Sequence, residues 1–258
     1  MFILNKSVFV TGATNGTGFA IASRFAKEGY DVFIGSRTEE NAQQAASQIA
    51  EKYGVNTKGY GMKVFDEDDV KRIFADIRAQ GYLLDTLVLN AANLGIRQDT
   101  LTVDIDEFMN VINTNMGWNF MLARQAALQM KEKGRGSIVF ITSNTAYRAI
   151  PNRAAYSSSK SGVLGLSRAL AIDFGKYGIR SNCVLPGMIK TERWLTNYNN
   201  CRSALSNYTP LQDIAEFEDV ANAAYYLGDY DESRNTTGAE IVVDGGNNVQ
   251  LYPEIPEK

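Results

Sequence analysis

From residue 7 to residue 243, short runs rich in β-branched residues alternate with longer stretches whose apolar positions recur every three or four residues. The short runs predict strands over 7–11, 31–35, 57–64, 86–90, 137–142, 179–185 and 240–243. The longer stretches predict helices over 16–27, 39–52, 68–79, 105–131, 157–177 and 217–227. An alternation that never pauses predicts an α/β fold, a parallel sheet of about seven strands with helices on both faces. Right-handed crossovers make such a sheet doubly wound. The runs at 86–90 and 137–142 are almost continuously apolar, as strands covered on both faces must be. No linker, repeat or low-complexity segment intervenes, so residues 1–258 read as one domain. The long break at 187–216 carries Trp194, Tyr198, Tyr208 and Pro210, too aromatic for a linker, and reads as a flap.

Composition narrows the chemistry. The 258 residues include no His, so a Ser-His or Cys-His couple, a His base and a His-containing zinc site are excluded. Proton transfer falls to Asp, Glu, Lys, Tyr or Cys. Twenty-six Lys and Arg against 29 Asp and Glu give a formal charge of −3 and no basic tract, which disfavours a nucleic-acid partner. Two cysteines, Cys183 and Cys201, are too few for a disulfide framework or a Cys-only zinc site, and no metal site is expected. Without a signal-type or membrane-spanning run, the chain reads as cytoplasmic, with both thiols reduced and no membrane partner.

In a doubly wound sheet the informative residues follow the strands. After the first strand comes TGATNGTG, residues 11–18, whose Gly12, Gly16 and Gly18 allow a tight turn and close approach of backbone to a pyrophosphate. The alternative is an ordinary strand-helix turn. Its place as the first loop of the alternation favours a dinucleotide, and the lack of Gly-Lys-Ser/Thr disfavours a Walker-type site. The second strand ends at Ser36–Arg37, where a cation suits a 2′-phosphate, so NADP(H) is favoured over NAD(H). Otherwise Arg37 is a solvated surface residue.

Ser143 closes the fifth strand, and Tyr156-Ser-Ser-Ser-Lys160 opens the helix after it. Tyr156 and Lys160, four apart, share a helix face, so the ammonium can lower the phenol's pKa from near 10. Ser143 could donate to a substrate oxygen that develops alkoxide charge. Alone, such a Tyr-Lys pair is as readily a surface Lys beside a half-buried Tyr.

Together with TGATNGTG, Asn115 on the preceding helix, PGMIKT at 186–191 and TGAEIVVDGG at 237–246, these residues resemble the short-chain dehydrogenase/reductase family over essentially the whole chain. The resemblance implies a Rossmann-like fold and a catalytic tetrad of Asn115, Ser143, Tyr156 and Lys160. Tyr156 would give or take the proton and Ser143 polarise the substrate oxygen. Lys160 would hold the nicotinamide ribose, and the Asn115 carbonyl a water linking Lys160 to solvent. It also implies cofactor contacts from Gly12, Thr14, Asn15, Gly16, Thr17, Gly18, Ser36, Arg37, Val64, Asn90, Ala91, Tyr156, Lys160, Pro186, Gly187, Ile189 and Thr191. Two positions depart from the family pattern: Ala92 replaces the Gly of Asn-Ala-Gly, and Lys63 replaces an acidic residue before Val64.

The implied reaction is NADP(H)-dependent hydride transfer between nicotinamide and a secondary alcohol or ketone, such as a sugar, polyol, hydroxysteroid or small ketone. A 3-oxoacyl-carrier-protein reductase shares every motif but needs a basic docking surface, for which Arg97, Lys131, Lys133 and Arg135 are a diffuse candidate. A non-catalytic dinucleotide-binding regulator is the reading from another class. Residues placed to face substrate are 93–96, 144–145, 150–153, Met188, Trp194 and Tyr198. Arg148 and Arg153 are either anion contacts or solvated loop residues. By resemblance the helices at 105–131 and 157–177 pair copies of the chain into a homotetramer.

Overall fold

The computed structural model describes residues 5–191 and 208–252. Seven strands, β1 (Ser7–Thr11), β2 (Asp31–Ser36), β3 (Thr57–Gly61), β4 (Thr86–Leu89), β5 (Gly136–Ile141), β6 (Ile179–Pro186) and β7 (Glu240–Val243), form one sheet in the order β3-β2-β1-β4-β5-β6-β7. Every pairing is parallel. The described helices are α1 (Gly16–Lys27), α2 (Glu39–Tyr53), α3 (Glu67–Ala79), α4 (Ile105–Ile112), α5 (Asn119–Lys133), α6 (Ala154–Gly175), α7 (Phe217–Gly228) and α8 (Tyr230–Ser233). The doubly wound, Rossmann-like α/β fold expected from the alternation is therefore the one observed.

Strand side chains alternate between two apolar layers because successive residues point to opposite faces. Phe9, Leu87, Leu89, Ile138, Phe140 and Leu185 pack with α3, α5 and α6, while Val8, Val10, Val88, Val139 and Val184 pack with α1, α2 and α7. Chain direction reverses its march across the sheet between β1 and β4, which leaves a crevice at their carboxyl ends.

Most boundaries differ from expectation by a residue or two, and the larger departures that bear on the crevice are these. β3 stops at Gly61 rather than 64, because the following loop turns through Phe65 at φ 59°. Val64 is therefore in a loop, 43% exposed. The helix expected over 105–131 is not continuous. α4 and α5 are separated by a wider π turn, Asn113–Trp118, in which the Asn115 side chain is drawn inward. Such one-turn widenings are a recognised cause of helix irregularity and recur at functional sites. α6 begins at Ala154, three residues before the expected start, so that Tyr156 lies in its first turn.

Candidate active site

The loop after β1 is shaped by its glycines. Gly12 has φ 65°, and a Cβ on Gly18 would stand 2.2 Å from the Gly12 carbonyl oxygen, so the chain folds back here only without side chains. Asn90, at the end of β4, donates from Nδ2 to the Thr11 and Gly12 carbonyls at 3.1 and 2.9 Å. The Thr11 hydroxyl accepts from the amides of Asn90 and Ala91, both at 3.1 Å. Asn90 and Ala91 thus brace the loop from the far side of the crevice. Thr14, Gly16 and Thr17 are half-buried at its rim, and Asn15 is exposed.

This loop delivers the chain into α1, and that helix starts differently from α2, α3, α4 and α7. Those four carry acidic side chains in their first turns, whereas α1 carries none and Asn15 makes no side-chain cap. An N-terminus with unpaired N–H groups, a positive dipole end and no resident acid suits an anion such as a dinucleotide pyrophosphate. The Gly12 amide donates to the Gly35 carbonyl at 2.8 Å, which sets the end of β2 beside the loop. Ser36 is half-buried there and Arg37 exposed, placed where the sugar at the adenine end of a dinucleotide would reach. On the other side, Pro186 ends β6 and Gly187 donates to the Val243 carbonyl at 2.9 Å. Ile189 forms a parallel bridge with Ala215, and Thr191 donates to the Ile189 carbonyl at 2.7 Å. Trp194 and Tyr198, assigned to the flap, lie outside the described residues, as does Cys201.

Ser143, Tyr156 and Lys160 meet at the carboxyl end of β5. Ser143 caps a short 3₁₀ turn, its Oγ accepting from the Thr145 amide at 3.1 Å, and it lies in hydrogen-bonding reach of the Tyr156 phenol. Lys160 is 4% exposed and its Nζ donates to the Ile141 carbonyl at 3.0 Å, 5.6 Å from the centre of the Tyr156 ring. Burial pushes the lysine down to about 8, opposed by the neighbouring Cys183 thiol. The phenol is pushed above its ordinary value by burial, against which the Ser143 hydrogen bond and the positive charge of Arg153 act. The expectation that Lys160 lowers it has no counterpart among these influences.

Asn115 joins this group from the π turn. Its Oδ1 accepts from the Asn93 amide at 2.7 Å, and its Nδ2 donates to the Asn93 carbonyl and to Ser159 Oγ, both at 2.9 Å. The Ser159 hydroxyl in turn donates to the Tyr156 carbonyl at 2.7 Å. The loop after β4 is held a second time by Arg153, whose Nη1 donates to the Leu94 and Gly95 carbonyls, each at 2.7 Å. Arg148 similarly donates to the Asn247 and Gln250 carbonyls. Both arginines are thus staples between loops rather than merely solvated.

Ser159 escaped assignment as a member of the site, while Asn93 and Arg153, expected to face substrate, pair with Asn115 and with the Leu94 and Gly95 carbonyls. The legible signal was spacing, since Arg153 and Ser159 each sit three residues from Tyr156 and so near its face of α6. Of the basic residues considered for carrier docking, Arg97 is exposed on the loop after β4, and the other three do not gather here. Lys131, Lys133 and Arg135 immediately precede β5, at the opposite end of the sheet, and are engaged by the Tyr177 ring, Asp85 and the Tyr230 ring. Among the described residues no cluster of three His, Cys, Asp or Glu could hold a metal.

A strand-loop-helix cradle for a dinucleotide and a Ser-Tyr-Lys group across one crevice are the marks of a Rossmann-type oxidoreductase. Residues 12–248 match the family model described as enoyl-(acyl carrier protein) reductase, and the chain belongs to the short-chain dehydrogenase/reductase family. It is 32% identical over 246 residues to the 3-oxoacyl-[acyl-carrier-protein] reductase FabG of Chlamydia trachomatis, covering 95% of this chain and 98% of that protein. The Escherichia coli K12 protein of the same name is 33% identical over 243 residues, 93% of this chain and 96% of that one. Among solved structures, gluconate 5-dehydrogenase from Burkholderia cenocepacia, in complex with NADP and tartrate, superposes with a TM-score of 0.89 at 25% identity, covering 96% and 97% of the two chains. The protein is thus an oxidoreductase of this family. No described helix is long and apolar enough to cross a membrane.

Proposed function

We propose that this chain is an NADPH-dependent ketoreductase whose substrate is a 3-oxoacyl thioester, with Asn115, Ser143, Tyr156 and Lys160 as its catalytic residues. The convergence of Ser143, Tyr156 and Lys160 opposite the glycine loop is the observation that carries the reaction class. The kinship with 3-oxoacyl reductases at 32–33% identity over more than nine-tenths of the chain supports the substrate class. Bound nicotinamide supplies a hydride to the carbonyl carbon. Ser143 hydrogen-bonds the carbonyl oxygen and Tyr156 delivers the proton as that oxygen becomes an alkoxide. A phenol raised by burial stays protonated at neutral pH, which suits it to act as the acid in reduction. Lys160 holds the ribose and reprotonates the phenolate, and the Asn115 carbonyl holds the water that resupplies Lys160. Gly12, Thr14, Asn15, Gly16, Thr17 and Gly18 would hold the pyrophosphate. Ser36 and Arg37 would take the 2′-phosphate, Val64 would border the adenine, and Pro186, Gly187, Ile189 and Thr191 would border the carboxamide.

A second reading, oxidation of a sugar acid, is favoured by the likeness to gluconate 5-dehydrogenase and by the placing of Lys131, Lys133 and Arg135 at the end of the sheet away from the crevice. NADPH consumption with acetoacetyl-coenzyme A, an acyl-carrier thioester and 5-oxogluconate separates the two. The expected result is turnover of the thioesters and its loss by at least about 10³-fold in Tyr156→Phe, whose NADPH affinity is kept. Turnover only of the sugar acid moves the assignment, and undiminished turnover in Tyr156→Phe removes the mechanism. No turnover of any substrate, with NADPH bound, favours the non-catalytic regulator. For the cofactor, Arg37→Ala should weaken NADPH binding by about tenfold or more and leave NADH unaffected, as read by fluorescence titration. We further assign residues 1–258 to one cytoplasmic catalytic domain; the flap expected over 187–216 falls largely on residues 192–207, outside the described ones. Self-association into a homotetramer would cover Ile105, Leu128 and Ile172, which are 71%, 54% and 81% exposed.

A further inference from the structure

The π turn that carries Asn115 brings in a second asparagine at the first position of α5. Asn119 is 4% exposed, and its helix neighbours Trp118, Leu122 and Ala123 are buried. Its Nδ2 donates to the Asn115 backbone carbonyl at 2.8 Å. A carbonyl only accepts, so this bond fixes which end of the amide is nitrogen. The remaining end, Oδ1, is buried without a hydrogen-bond partner among the described residues. A core that needed only volume here would be served by Leu, which is close to Asn in shape and leaves nothing unpaired. The amide is therefore a costly choice.

Asn119 does not stand alone in this. Trp118 Nε1, Thr145 Oγ1 and Ser157 Oγ are also buried without partners among the described residues, and with Asn119 Oδ1 they fall in the three segments that bear Asn115, Ser143 and Tyr156–Lys160. Buried polar atoms without protein partners are ordinarily satisfied by ordered water. Lys160 contributes to the same demand, because its ammonium has three donors and one of them is used on Ile141.

We propose that Asn119 is a positioning residue of the proton relay, its Nδ2 fixing the direction of the Asn115 carbonyl and its Oδ1 serving as second acceptor for the water that resupplies Lys160. This rests on the reading of Tyr156 and Lys160 given above. Each carbonyl reduced takes one hydride and one proton. The Tyr156 O–H bond breaks as the alkoxide O–H forms, an N–H of Lys160 restores the phenol, and the held water turns the O–H it gives Asn119 Oδ1 onto Nζ, passes that proton across and regains one from solvent. Two fixed acceptors keep the water within reach of Nζ as it turns, whereas one freely placed carbonyl does not.

The test compares Asn119→Leu, Asn119→Asp and Tyr156→Phe with the parent enzyme. For Asn119→Leu the expected outcome is a kcat about tenfold lower and an NADPH dissociation constant within twofold of the parent's by fluorescence titration. The solvent deuterium isotope effect on kcat should rise while the effect of 4-deuterated NADPH falls, as proton delivery becomes limiting. A Leu variant with the parent's kcat and isotope effects overturns the proposal. Should the Leu variant fail to fold, Asn119→Asp decides: protonated, it reproduces both donor and acceptor, so activity should be near the parent's at low pH and fall as the carboxyl ionises. A pH profile parallel to the parent's overturns the proposal. If Tyr156→Phe is inactive while the Asn119 variants behave as the parent, only the role of Asn119 fails. If Tyr156→Phe retains turnover, the reading beneath it fails as well.

Discussion

Lys160 and Arg180 are both buried cations, 4% and 5% exposed, yet the fold surrounds them in opposite ways. Arg180, near the start of β6, directs both Nη groups to the carbonyls of Leu227, Gly228, Asp229 and Thr236 and to the Ser233 hydroxyl, at 2.8–3.4 Å, and leaves only Nε without a partner among the described residues. It thereby ties the end of α7 and the whole of α8 to the sheet. Lys160 lies at the carboxyl ends of the strands and has a single acceptor among the described residues, the Ile141 carbonyl. Both are depressed by burial. The difference shows what each end of the sheet is for. At the amino end a buried charge is consumed by structure, and at the carboxyl end it is left with donors to spare, which is a liability unless a substrate, cofactor or water uses them.

Replacing each cation by Met breaks the comparison if the distinction is wrong. Lys160→Met should lower kcat by about 10³-fold or more, because in the proposed mechanism it removes the ribose contact and the proton source for Tyr156 together. Arg180→Met should leave kcat within a few-fold at temperatures where the protein is folded, since Arg180 touches no residue of the crevice. Its cost falls on stability instead. Several buried acceptors lose their donor, at roughly 1–3 kcal/mol each when left unsatisfied, so a loss of at least about 3 kcal/mol is expected. For a chain of this size that lowers Tm by roughly 6–12 °C, measurable by calorimetry. Equal losses of activity and stability in the two variants would mean that the two ends are not specialised.

The same division explains what could be read from the chain beforehand. The strands and helices that only bury surface were legible, because their apolar periodicity is dictated by the layer they pack against: β1, β7 and α1 lie over the residues expected. The boundary shifts that bear on the crevice belong to segments with work to do at the carboxyl ends. β4 stops at Leu89 because Asn90 turns to hold the glycine loop, and the helix carrying Asn115 widens because that side chain pairs with Asn93. Neither interaction leaves a periodic trace. Tyr156 and Lys160 were legible because local spacing alone puts them together, whereas the stapling of 94–95 by Arg153 joins residues 58 and 59 positions apart. Long-range polar contacts of that kind are invisible to pattern.

The finest test of the comparison is the pH dependence of the unsatisfied cation. The fall of Lys160 from 10.5 to about 8 corresponds to roughly 3 kcal/mol against its charged form. Between pH 8 and 10.5 the unfolded chain holds more protons at this position than the folded one, so stability from this group rises with pH across that window. The penalty is full below pH 8 and gone above 10.5. Lys160→Met removes the penalty but leaves the Ile141 carbonyl without its donor, at a cost of about 1–2 kcal/mol. At pH 7 the penalty is the larger quantity, so the ligand-free variant should be the more stable protein by about 1 kcal/mol in urea unfolding. At pH 10 most of the penalty has vanished from the parent and the lost hydrogen bond dominates, so the order of the two midpoints should reverse. Other groups that titrate in this range act on both proteins alike and cancel in the difference. An advantage for the variant that stays constant from pH 7 to pH 10 would mean that Lys160 is held as firmly as Arg180, and the contrast between the two ends would rest on catalysis alone.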